Sequence, residues 1–144
     1  MNSIQDLILK NTNFSTMTTL TTAGIKITVE TRYQTEDSQP FKNNYIFSYL
    51  VRIENTTPHD IQLLRRHWYI YDSNSVYREV EGKGVIGFQP VIEPGQIHEY
   101  CSGCHLETDM GKMSGYYIFQ RLEDGFEFKV EIPEFQLISP YRLN

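Results

Sequence analysis

The sequence predicts an all-β protein, an antiparallel β-sandwich or barrel of about seven or eight strands. Three observations carry this prediction. Apolar residues recur at every second position over several segments. Clusters of Gly, Pro, Asn and Asp interrupt the chain at short intervals. Helical periodicity is almost absent. The 10 Tyr, 8 Phe and 1 Trp strengthen the strand signal, because rings fit a pleated, half-buried surface. A chain of 144 residues is most simply one domain, long enough to bury a core.

Taken in order, residues 1–20 read as a flexible N-terminal extension and residues 21–140 as the domain. Ile4, Leu7, Ile8 and Leu9 could form a short amphipathic turn, and the stretch from 11 to 22 is mostly Thr, Asn and Ser. Ile25, Ile27 and Val29 alternate with polar residues, whereas Tyr45, Phe47, Tyr49, Val51 and Ile53 alternate with a mixed face of Asn44, Ile46, Ser48, Leu50, Arg52 and Glu54. A turn by composition follows at 55–60. The next strand, 61–72, is expected to present Leu64, Trp68 and Ile70 on one face. Leu63, Arg65, His67, Tyr69 and Tyr71 fall on the other. Asp72-Ser73-Asn74-Ser75 turns the chain into a strand at 76–81. Glu93-Pro94-Gly95-Gln96 is a further turn, with Pro at its first central position. Strands at 97–101, 115–122 and 126–132 follow, the last two joined by Glu123-Asp124-Gly125. Pro133 is expected to break the ladder, leaving Phe135 and Leu137 on a short edge strand.

Composition excludes several function classes. A net charge of −5 argues against nonspecific nucleic-acid binding, which needs a basic surface to displace counterions. No apolar run approaches the roughly 20 residues that span a bilayer. The N-terminus lacks a basic stretch followed by an apolar one, which argues against a secretory signal. Two cysteines do not make a disulfide framework. These features favour a cytoplasmic protein with a mean hydropathy of −0.43.

Gly82-Lys83-Gly84-Val85-Ile86-Gly87 matches the G-x-G-x-x-G spacing of a phosphate loop. In a dinucleotide fold that loop opens a helix, and Pro90 and Pro94 forbid one here. Two readings remain for Gly82, Lys83, Gly84 and Gly87. Their amides could form an anion nest beside the Lys83 charge, or the glycines could serve a loop that needs positive φ. The nest reading expects Gly84→Val to abolish ligand binding while the fold persists.

His98, Cys101, Cys104 and His105 carry metal-ligating side chains, but their spacing is poor for a tetrahedral site. Adjacent Cys104 and His105 point to opposite faces of a strand, and three strand residues span about 10 Å, beyond disulfide range. Free thiols, buried or half-buried, are the expected state, with no metal and no cofactor assigned. Arg65-Arg66-His67-Trp68 reads either as core Trp68 with Arg66 lying along the same face, or as a recognition patch through Arg65 and His67. No catalytic set stands out: no G-x-S-x-G occurs, and the acidic residues fall in turns or on polar faces.

Several segments together resemble the ApaG family. They are residues 45–54, in the pattern Y-x-F-x-Y-x-x-x-I-E; Gln62-Leu63-Leu64-Arg65-Arg66-His67-Trp68; residues 82–90; Pro94-Gly95; Gly111-Lys112-Met113-Ser114-Gly115-Tyr116-Tyr117; and residues 128–137. The resemblance runs over residues 21–140. It implies an immunoglobulin-like sandwich of the fibronectin type III kind. It also implies a bacterial cytoplasmic protein linked genetically to cobalt tolerance and magnesium efflux. In eukaryotes the similar domain looks like an interaction module, appended to F-box proteins and to a DNA-polymerase-delta-interacting protein. Residues 1–16 precede the usual family start. Cys101 and Cys104 stand where the family commonly carries other small residues. The expectation is therefore a non-enzymatic binding domain whose partner is a protein or a phosphate-containing small molecule. A homodimer through an edge or a sheet face is open to it.

Overall fold

The computed structural model describes residues 15–143. The amphipathic turn expected around Ile4 to Leu9 lies outside these. Nine strands occur among the described residues: β1 (Ser15–Thr22), β2 (Ile25–Tyr33), β3 (Tyr45–Asn55), β4 (Ile61–Asp72), β5 (Tyr77–Lys83), β6 (Val91–Ile92), β7 (Ile97–Leu106), β8 (Met110–Arg121) and β9 (Glu127–Ile138). One antiparallel sheet has the order β1-β2-β3-β7. The other has the order β5-β4-β8-β9, with β6 pairing the start of β4. No helix among the described residues is long and apolar enough to cross a membrane.

The period-two pattern becomes the core. Register places Ile27 opposite Ile53 and Val29 opposite Val51, so the apolar faces of β2 and β3 coincide. Across the sandwich they meet Trp68, Tyr117, Phe119, Val130 and Phe135, all buried. Each such side chain contributes about 1.5–3 kcal/mol of burial. Edge contacts between rings fill the centre, with Tyr49 against Trp68 at 5.4 Å and Trp68 against Phe135 at 5.9 Å. The turns form as expected. Gly95 sits at φ 80° with Gln96 N–H donating to Glu93 O at 3.0 Å. Gly125 sits at φ 74° in the β8–β9 hairpin.

Four expectations need correction. Leu63 is fully buried, not outward, because the β4–β8 register shifts between Leu63 and Arg65. That bulge switches parity, so Ile61 and Leu63 face the core before it and Arg66, Trp68 and Ile70 after it. Pro133 does not end the last strand. β9 runs through it, with a second register shift where Pro133 and Glu134 fall opposite Ser114. The proline sits at a bulge on an edge strand, where its missing N–H breaks no regular pair, and the parity change buries Phe135 and Leu137. Residues 15–20, assigned to the flexible extension, belong to β1, an edge strand with no apolar alternation. Its β-branched threonines pair with β2 along its whole length, and the hydroxyls of Thr16 and Thr31 meet at 2.6 Å. Finally, β7 continues past Cys101 to Leu106 and β8 starts at Met110. Ser102, Gly103 and Gly111 interrupt the apolar pattern there without interrupting a ladder, and Ser114 stays paired with Tyr69 of β4.

Candidate functional site

The glycine motif is a strand end followed by a tight hairpin. Gly82 and Lys83 close β5 opposite Arg66 and Arg65. Val85 and Phe88 then pair across a two-residue turn in which Ile86 has φ 48° and Gly87 φ 77°. Two successive positive φ values match the twist of a β-hairpin. The turn takes up most of the loop's donors. Gly84 N–H donates to Leu64 O at 2.8 Å, Val85 N–H to Phe88 O at 2.7 Å, and Phe88 N–H to Val85 O at 3.0 Å. Gly84 has φ 59°, and a Cβ there would lie 1.9 Å from Phe88 O. Gly84→Val thus destroys the hairpin and cannot serve as a fold-neutral probe of ligand binding. Gly82 has a different role. A Cβ at this position would lie 3.1 Å from both terminal nitrogens of Arg66, so the bare glycine seats that guanidinium.

Arg65, His67 and Lys83 come together on the outer face of the five-stranded sheet. With Gly82, Glu81 and Tyr116 they line a shallow depression of about 510 Å³. His67 is held firmly. Its Nε2 lies 2.7 Å from Glu79 and its Nδ1 3.0 Å from Glu81. Its ring stacks on Tyr116 at 5.1 Å and leans on Tyr69 at 4.7 Å. Hydrogen bonds from His67 and then Tyr77 hold the Glu79 carboxyl below the usual carboxylate range. The aromatic surface continues through Tyr77 and Tyr71, and the Lys129 ammonium lies 4.2 Å from the Tyr116 ring centre.

The four soft-ligand residues of β7 do not converge. Strand alternation turns His98 and Cys104 inward and Cys101 and His105 outward. No three His, Cys, Asp or Glu side chains gather as a metal site among the described residues. Both cysteines are free thiols, Cys104 buried and Cys101 half-buried. Burial pushes the Cys104 thiol up to about 11, against a smaller opposing pull from Arg78. The protonated form is therefore favoured by folding. That contribution to stability is whole below the unfolded thiol's value of 9.0 and is lost as pH rises towards about 11. In iodoacetamide labelling of the native protein at pH 8, Cys104 is expected to react about 100-fold more slowly than in the urea-unfolded chain. Equal rates would show that the site is neither desolvated nor closed.

A second concavity lies between the two sheets, and most of its residues carried no sequence signal of a site. Arg66, Arg78, Tyr49, Tyr100, Ser102 and Trp68 line a cleft of about 290 Å³ where β5 faces β7. Arg66 is legible as a companion of Trp68. Arg78 sits alone on β5, and only the pairing of that strand turns it inward opposite Ile70.

Comparison with known proteins agrees with this architecture. The ApaG domain family model matches residues 35–121. Protein ApaG of Brucella canis is 44% identical over 119 residues, which cover 83% of this chain and 91% of that protein. Protein ApaG of Methylorubrum extorquens is 45% identical over 120 residues, covering 83% and 92%. The crystal structure of the putative ApaA protein from Bordetella pertussis superposes with a TM-score of 0.78 at 43% identity, covering 81% of this chain and 94% of that one. The nine strands, their fibronectin-like arrangement in two antiparallel sheets and the family match converge: this chain belongs to the ApaG domain family.

Proposed function

We propose that this protein is a non-enzymatic, cytoplasmic binding domain that recognises a protein partner through the outer face of the five-stranded sheet. The supporting observation is the composition of that face. Tyr69, Tyr71, Tyr77 and Tyr116 stand around His67, Arg65 and Lys83 on paired strands, with Tyr71 39% and Tyr77 45% exposed. Tyrosine and arginine on a rigid frame supply large contact area at little ordering cost, which is why they dominate binding hot spots. The link of the ApaG family to cobalt tolerance and magnesium efflux then runs through a protein contact and not through a metal held by His98, Cys101, Cys104 or His105.

The test is site-specific photo-crosslinking in cells. A crosslinker at Tyr71 is expected to give one discrete protein adduct, and a crosslinker at Thr28, on the outer face of the other sheet, none. Tyr116→Ala is expected to remove the adduct while the unfolding free energy stays within about 1 kcal/mol of the parent. An adduct that forms from Thr28 alone, or that persists in Tyr116→Ala, would refute the assignment of this face.

A further inference from the structure

The cleft between β5 and β7 has a charge balance unlike the rest of the chain. The protein carries 18 acidic residues against 13 Lys and Arg. Yet Arg66 and Arg78 enter this cleft together, and no Asp or Glu among the described residues lines it. Neither guanidinium forms an ion pair among the described residues. Arg66 Nη1 donates to Lys83 O at 3.0 Å and Gly84 O at 2.9 Å. Arg78 Nη2 donates to His105 O at 2.7 Å and lies 3.7 Å from Cys104 Sγ. The nearby Asp72 carboxylate accepts from the Glu107 amide and the Thr108 hydroxyl. Carbonyl contacts orient the two guanidiniums but leave their charge unneutralised, and each has further N–H donors to offer.

Hydroxyls complete the lining. Tyr49 and Ser102 both line the cleft, and the Tyr100 hydroxyl meets that of Tyr117 behind the wall. Val85, Ile86 and Gly87 of the hairpin form one side. The hairpin is thus a wall of the cleft, and Gly82 leaves room for the Arg66 head that faces it. We propose that this cleft binds a small molecule through a multiply charged oxyanion, with Arg66 and Arg78 as cationic clamps and Ser102 as an added donor. A phosphate ester, a diphosphate and a dicarboxylate share that chemistry, and guanidinium forks match all of them. The volume restricts the ligand to a small one. Arg66 also lines the outer depression, but Arg78 and Ser102 line only the cleft, so either proposal can fail without the other.

Trp68 is the only tryptophan of the chain and lines the cleft, so its emission reports occupancy. Full-length protein is titrated with inorganic diphosphate, and in parallel with malonate, at constant ionic strength. A saturable emission change is expected with at least one of them, diphosphate alone identifying a phosphate ligand and malonate alone a carboxylate. Arg78→Gln and Arg66→Gln are each expected to weaken binding about tenfold or more. Arg65→Gln, on the outer face, is expected to leave it unchanged. Arg66 also braces the hairpin, so Arg78→Gln decides the matter if Arg66→Gln fails to fold. No saturable change with either anion up to about 10 mM would overturn the proposal, as would binding that survives Arg78→Gln.

Discussion

Gly115→Ala is expected to destabilise the domain by about 3 kcal/mol or more, lowering the melting temperature by roughly 10 °C. Gly115 lies in β8 directly opposite Trp68 of β4. A Cβ built there would sit 2.1 Å from the His67 carbonyl oxygen and 3.2 Å from the Trp68 Cα. Those atoms belong to the backbone of a central strand, so no flexible side chain can swing aside. To admit one methyl group, β4 must withdraw from β8 beside the ring that packs on Tyr49 and Phe135. The urea midpoint and the Trp68 emission are expected to move together. Gly103→Ala in β7 is the internal control, because its nearest contact is Phe47 O at 3.4 Å. That change is expected to stay within about 0.5 kcal/mol, since ordinary contact is offset by the stiffer unfolded chain. Equal shifts for the two variants would show that close strand approach is not what demands glycine at 115.

Asn55→Leu is expected to cost about 4 kcal/mol, again measured by urea unfolding. Asn55 is fully buried at the end of β3. Its Nδ2 donates to His59 O at 2.7 Å and to Ile92 O at 2.9 Å. Its Oδ1 accepts from the Thr57 amide at 3.0 Å and the Thr57 hydroxyl at 2.7 Å. One side chain therefore closes the β3–β4 turn and ties the four-stranded sheet to β6 of the other. Leucine has nearly the same size, but it leaves two carbonyls, an amide and a hydroxyl without this partner. Thr57→Ala removes only one arm and is expected to cost about 1 kcal/mol. If Asn55→Leu costs no more than Thr57→Ala, the network is not what joins the two sheets at that end.

These two residues show where sequence reading stops. Asn55 opens a Thr- and Pro-rich turn, and its composition signals a turn and nothing more. Its four partners come from residues 57, 59 and 92, so its importance depends on packing between distant segments. Gly115 looks like any glycine before a strand of aromatics, until the register brings His67 O against it. The misjudged parity of Leu63 and Leu64 has the same origin. A bulge adds one residue to one strand of a pair, and only the partner strand reveals it. Pro133 is misread because whether a proline is tolerated depends on which strand lies at the edge.

The candidate site divides in the same way. Arg65, His67 and the tyrosines that alternate with them share one face by strand parity alone, and the structure keeps them together. The glycine motif was legible as a loop without a helix, but not as a hairpin whose amides are mostly taken. Arg78 and Ser102 carry no local mark of a shared cleft.

By itself, the sequence determined the fold class, the alternating core of β2, β3 and β9, the turns at 93–96 and 123–125, and the family. These depend on side-chain periodicity and on the φ preferences of Gly and Pro, both local properties. Tertiary structure alone decided the strand register, the two bulges, the role of Asn55 and the meeting of Arg66 with Arg78. Each of these depends on which backbone lies beside which, and that is set by pairing between residues far apart in the chain.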